Sequence, residues 1–143
     1  MRTEELVTFS LGTNLGDRES NIRTAIECMQ KAFGVAPEAV SPVMETEAVG
    51  FEGPAFLNCV ARFRTSESPI SVLRICKRIE KEMGRCDEPE YDGEGRRIYH
   101  DRIIDIDILF YGDKVINTDR LVIPHPQVET RPFVRDLLDL CKN

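Results

Sequence analysis

Two aspartates, Asp105 and Asp107, stand one residue apart in the isoleucine-rich run RIIDIDILF (102–110). Side chains alternate across a strand, so both carboxylates project from one face, about 7 Å apart. Strands use Asp sparingly. Repulsion between the two charges is about 0.6 kcal/mol in water and about 2.4 kcal/mol at an effective dielectric of about 20. One account leaves both hydrated on an exposed face, or paired with arginines such as Arg102. The sharper account has them hold one or two hard divalent cations, which removes the repulsion. Mg²⁺ takes a few carboxylate oxygens and fills its remaining positions with water and substrate phosphates. Two carboxylates on one rigid strand can hold two ions about 3.5–4 Å apart, the clamp used in phosphoryl transfer.

The surroundings favour an anionic ligand. Arg85 follows a helix stop, Arg102 leads into the aspartate strand, and PHPQVETR places His125 and Arg131 shortly after it. Metal plus fixed cations is what a triphosphate needs for positioning and charge neutralisation. No G-x-x-x-x-G-K-[ST] occurs, and GTNLG (12–16) is too short to cradle phosphates in that way, so a nucleotide would be held without a P-loop. His125 lies between Pro124 and Pro126, a stiffened setting that suits either a structural role or a phosphate contact. His100 reads as a solvated residue.

These residues need elements to position them. LVTFSL (6–11) alternates as a half-buried strand, with Val7, Phe9 and Leu11 inward, and runs into a glycine-rich turn over 12–17. A helix follows, with Ile22, Ala25, Ile26, Met29 and Phe33 on one face and Gly34 as its stop. Residues 39–49 read as an interrupted strand, placed at an edge by Pro42. FLNCVARFRT (56–65) alternates with Leu57, Cys59, Ala61 and Phe63 inward. The next helix has Ser68 as N-cap, Pro69 at its first position, Gly84 as its stop, and a stripe of Val72, Leu73, Cys76, Ile79 and Met83. Residues 85–99 read as a long mobile loop. In the aspartate strand, Ile104, Ile106, Ile108 and Phe110 share the helix-facing side. A GDK turn leads to Val115–Ile116, VIPHPQVET looks extended, and RPFVRDLLDLC ends as a helix with Phe133, Val134, Leu137, Leu138 and Cys141 on one side.

The order β-α-β-β-α-β plus an added helix is the split βαβ, an α+β ferredoxin-like arrangement. Its helices should cover one face of a mainly antiparallel sheet and leave the other for ligands. The 143 residues, with 41% hydrophobic and 31% charged content, are expected to form one soluble globular domain over 1–143. A net charge of −6 argues against nucleic-acid binding. Five cysteines (28, 59, 76, 86 and 141), with no C-x-x-C pair, read as buried free thiols of a reducing compartment. No apolar run approaches the ~20 residues that span a bilayer, and the N-terminus has no signal-peptide pattern. A cytoplasmic protein without membrane partners is expected, as a monomer or at most a weak homodimer.

Five ordered blocks, SLGTNLGDRESNIRTAI, FLNCVARFRT, IEKEMGR, DRIIDIDILFYG and IPHPQVETRPFV, resemble the 6-hydroxymethyl-7,8-dihydropterin pyrophosphokinase family of folate biosynthesis, from about residue 6 to 138. The resemblance implies a ferredoxin-like fold and transfer of the β,γ-pyrophosphoryl unit of ATP to the pterin hydroxymethyl group, with release of AMP. It implies two Mg²⁺ ions at Asp105 and Asp107. Arg85, Arg102, His125 and Arg131 would meet the triphosphate or ribose, with Arg85 and Arg102 joining the aspartates in catalysis, and Glu80 would lie near the nucleotide. It implies a pterin stacked between Phe56 and Phe133, edge-bonded by Asn58, with main-chain contacts at Thr46 and Val49. The chain departs from the family where YHDR (99–102) replaces W-G-P-R, so Tyr99 or His100 would take over the tryptophan's contact. Asp87 stands where a second arginine is common, leaving Arg96 or Arg97 to supply that charge, and Lys77 stands where a glutamine is common. Two other readings use the same acidic face: a non-catalytic ligand-binding domain, and a D-x-D phosphotransferase with another substrate.

Overall fold

The computed structural model describes residues 3–47, 54–84, 93–94 and 103–141, together with the backbone of 90–91 and 97–98. Strand β1 (Glu5–Thr13) leads through a turn into helix α1 (Arg18–Phe33). Asp17 caps that helix by accepting the Ser20 amide at 3.1 Å. Gly34 ends it at a φ of 74°, left-handed backbone that a Cβ would strain. Strands β2 (Ala39–Val40) and β3 (Met44–Thr46) are separated around Pro42, which has no amide to donate to a ladder. Both pair with β4 (Phe56–Thr65). Helix α2 (Pro69–Glu82) starts as expected, with the Ser68 hydroxyl accepting the Ser71 amide at 3.2 Å and Pro69 in its first turn.

Within the stretch expected as one long loop, β5 (Glu90–Tyr91) pairs with β6 (Arg97–Ile98), so it contains a short antiparallel ladder. Then come β7 (Asp105–Tyr111), the small ladder of β8 (Ile116–Asn117) with β9 (Val122–Ile123), the single-turn α3 (Gln127–Thr130) and α4 (Pro132–Leu140). Two details of the closing segment differ from expectation. Val115 is 81% exposed and precedes β8 rather than entering it. VIPHPQVET is extended only through Ile123, because the Thr130 and Arg131 amides fold back to the Pro126 and Gln127 carbonyls.

The main sheet runs β2-β4-β1-β7, with β3 also on β4, and every pairing is antiparallel. This is the split βαβ, ferredoxin-like α+β order. One face packs Val7, Phe9, Leu11, Leu57, Cys59, Ala61, Phe63 and the isoleucines of β7 against α1 and α2. The other face is not left wholly open. Val60 and Leu109 on the sheet join Val134, Leu137 and Cys141 of the α4 segment in a second core, because the apolar side of α4 needs a surface to cover it. The same face also carries Asn58, Gly12, Asp105 and Asp107.

Phe110 does not share the isoleucine face. The β1–β7 register pairs Phe9 with Ile108 and Thr8 with Phe110, so Leu109 is an extra residue on β7. The bulge reverses the alternation, and Phe110 packs with the second core while Tyr111 turns to the first. Cys59, Cys76 and Cys141 are buried free thiols and Cys28 is a half-buried one, whereas Cys86 lies outside the described residues. Among the described residues, no helix is long and apolar enough to cross a membrane.

Candidate active site

Strand β7 is the outer strand of the sheet, and the face opposite Ile104, Ile106 and Ile108 presents both half-buried aspartates. The register places them against β1 as Gly12↔Asp105 and Ser10↔Asp107, and β1 against β4 as Gly12↔Asn58 and Ser10↔Val60. Asn58, Gly12 and Asp105 therefore form one cross-strand row. Two strand spacings separate Asn58 from Asp105, roughly 10 Å. Gly12 floors the space between them. A Cβ there would stand 3.3 Å from Asn58 Oδ1 and 3.7 Å from the Phe56 ring. Its backbone needs no left-handed conformation, so the missing side chain matters for room.

The Asn58 amide donates to the Met44 carbonyl at 3.1 Å and to the Thr46 hydroxyl at 2.8 Å. Those bonds fix its rotamer and turn its oxygen over Gly12. Asn58 and Thr46 are thus brought together, with Phe56 paired opposite Thr46. Phe133 sits half-buried on α4, on the same side of the sheet. The entry to β4 beside these residues is braced from the β1–α1 turn. Asn14 donates to the Pro54 carbonyl at 3.1 Å and Arg18 to the Ala55 carbonyl at 2.7 Å, while Arg18 also lies 3.3 Å from Glu45.

Asp107 is held from the segment after β9. Gln127 Nε2 donates to its Oδ2 at 3.1 Å, and His125 Nε2 lies 3.9 Å from its Oδ1. The Gln127 amide donates to His125 Nδ1 at 3.1 Å. With Nδ1 an acceptor, the ring hydrogen sits on Nε2, so His125 faces Asp107 and any ligand there as a donor. The His125 amide in turn donates to the Leu109 carbonyl at 3.0 Å, pinning this segment along the outer edge of β7. Burial raises the Asp107 pKa above the ordinary carboxylate value, and the Asp105 charge adds to the rise. His125, Gln127 and Lys77 work against it.

Glu80, expected near the nucleotide, is fully buried on α2, and its Oε2 accepts the Ile106 amide at 2.7 Å. It grips the backbone of the residue between the two aspartates. Arg131 is exposed at the α3–α4 junction, its amide donating to the Gln127 carbonyl. Val49, Arg85, Tyr99, His100 and Arg102 lie outside the described residues, as does Arg96, and of Arg97 only the backbone is described.

Two site residues escaped the sequence reading. Gly12 carried a signal, since a glycine inside an alternating strand marks close approach to something. Gln127 carried none, because nothing local links a glutamine in a turn to an aspartate twenty positions earlier. Among the described residues, no group of three or more His, Cys, Asp or Glu side chains converges as a metal cage. Two carboxylates on one face fit an ion that completes its shell with water and phosphate oxygens, as Mg²⁺ does.

A ferredoxin-like α+β domain with paired carboxylates on an end strand, in one cross-strand row with a glycine and an asparagine, is the class of protein that fold and site define. The sequence model described as 7,8-dihydro-6-hydroxymethylpterin-pyrophosphokinase (HPPK) matches residues 8–142, and the chain belongs to that family. It is 42% identical over 139 residues to the 2-amino-4-hydroxy-6-hydroxymethyldihydropteridine pyrophosphokinase of Aquifex aeolicus, covering 96% of this chain and 81% of that protein. To the protein of the same name from Bacillus subtilis it is 35% identical over 136 residues, covering 94% and 77%. It is also 41% identical over 140 residues to a folate synthesis bifunctional protein of Arabidopsis thaliana. There it covers 96% of this chain but 27% of the longer relative.

Proposed function

We propose that this chain, acting as a single domain, transfers pyrophosphate from ATP to the hydroxymethyl group of 6-hydroxymethyl-7,8-dihydropterin in folate biosynthesis. The observation that carries the reading is the cross-strand row in which Gly12 separates Asn58 from Asp105. It sets an amide and aromatic pocket at one end and paired carboxylates at the other. A flat ring with a one-carbon arm has its edge at the first and its hydroxyl at the second.

Each residue then has a role. Phe56 and Phe133 offer faces for a heteroaromatic ring. Asn58 presents its oxygen to the ring edge, and the segment at Thr46 and Val49 supplies main-chain contacts. Asp105 and Asp107 would hold two Mg²⁺ ions, whose charge would neutralise the triphosphate. His125 donates from Nε2 to a phosphate oxygen. Arg85, Arg102 and Arg131 supply further positive charge to the triphosphate or ribose. Glu80 acts through the strand, holding the backbone of Ile106 between the aspartates, and Tyr99 contacts the substrate in place of the tryptophan common at that position.

In the reaction, the hydroxymethyl oxygen bonds to the β-phosphorus in line. The bond from that phosphorus to the α,β-bridging oxygen breaks, and AMP leaves with the oxygen. The hydroxyl proton is released. Exclusion of water from the site would keep it from the same phosphorus.

Incubation with ATP, Mg²⁺ and the reduced pterin alcohol should yield AMP and the pterin diphosphate. Asp105→Ala and Asp107→Ala should each abolish AMP formation in a folded protein. ADP as the nucleotide product, or wild-type turnover in either variant, would overturn the reading.

A further inference from the structure

Gln127 touches three of the candidate residues at once. Its side-chain amide donates to Asp107 Oδ2 at 3.1 Å, its backbone amide donates to His125 Nδ1 at 3.1 Å, and its carbonyl accepts the Arg131 amide at 3.0 Å. At 4% exposure it is among the few buried polar side chains, although it belongs to a four-residue helix on the rim of the sheet. An apolar residue would fill that position if packing alone were required. A buried amide aimed at a carboxylate instead ties two separate parts of the site together. Strand β7 carries Asp107, whereas the turn after β9 carries His125 and Arg131.

We propose that Gln127 is a positioning residue for Asp107. By engaging Oδ2 it sets the carboxylate plane and leaves Oδ1 as the oxygen presented to a cation. By its two backbone bonds it registers the His125 ring and the Arg131 backbone against that oxygen. The inference rests on the proposed role of Asp107 in holding a divalent ion, and it deepens that role. Outer groups that orient a ligating carboxylate change metal affinity although they never touch the ion.

The test uses Mn²⁺ as a paramagnetic probe, titrated into the protein with a non-hydrolysable ATP analogue and followed by electron paramagnetic resonance. Gln127→Met keeps the volume and loses the amide. Gln127→Asn keeps the amide but falls one methylene short of Oδ2, and it provides a reading should the methionine variant fold poorly. Both should bind Mn²⁺ about tenfold more weakly than wild type. In an Asp107→Asn background, adding Gln127→Met should change the affinity less than about twofold, since the group being positioned is already altered. Wild-type Mn²⁺ affinity in both single variants would overturn the proposal. So would an equal loss in the Asp107→Asn background, which would assign Gln127 to packing. The titration needs no turnover, so its result is independent of whether the wild-type chain forms AMP.

Discussion

The Glu80 carboxylate, fully buried, accepts the amide of Ile106, the residue between the two aspartates. Among the described residues strand β7 pairs with β1 and is an end strand of the sheet, and a strand amide turned outward needs water or an acceptor. Helix α2 supplies that acceptor, with Lys77 Nζ 3.6 Å from the other carboxylate oxygen. The scaffold that must hold Asp105 and Asp107 still is therefore clamped from behind.

Removing the clamp should weaken the fold. Glu80→Ala deletes the acceptor and leaves the Ile106 amide without it, a loss of about 1–3 kcal/mol in unfolding free energy. Glu80→Gln, whose amide oxygen can still accept, should lose much less. Urea denaturation of both variants in metal-free buffer reads the difference. A loss under about 0.5 kcal/mol for the alanine variant would contradict the clamp.

Asp107 should make stability fall as pH rises in the absence of metal. Its pKa in the folded chain lies above the 3.8 of a free aspartate, through burial first and the Asp105 charge second. Between those two values the folded state binds more protons than the unfolded state, so unfolding free energy decreases with rising pH across that window. Asp107→Asn removes this titration while keeping the shape. The variant's stability advantage over wild type should grow as pH climbs from 3.8 through the raised value and then level off. A constant difference between the two proteins across that range would refute it.

Gly12 should be sensitive to a single methyl group. In Gly12→Ala the new Cβ would stand 3.3 Å from Asn58 Oδ1, tighter than ordinary contact, and Asn58 is held by Met44 and Thr46. We expect KM for the pterin to rise about tenfold, corresponding to about 1.4 kcal/mol, with KM for ATP changed less than about twofold. An equal rise in both constants would show general distortion of the sheet instead.

Much of this was legible in local pattern. The caps at Ser68 and Gly34, the inward faces of β1 and β4, and the shared face of Asp105 and Asp107 follow from helical and strand periodicity, which backbone geometry imposes on any sequence. The five ordered blocks were enough to identify the family. Phe110 went to the wrong face because a one-residue bulge is invisible to strict alternation. The turn at Gln127–Thr130 is too short to show a period.

Residue types and their spacing alone therefore determined the long strands and helices of the split βαβ, the apolar side of most of them, and that two carboxylates share a strand face. Tertiary structure decided that Gly12 separates Asn58 from Asp105, that Glu80 grips Ile106, that Gln127 holds Asp107, and that α4 covers part of the second face. The physical reason is reach. Helix and strand periods act over a few neighbouring residues, whereas these contacts join positions 20 to 93 apart in the chain, and only strand register and helix packing bring them together.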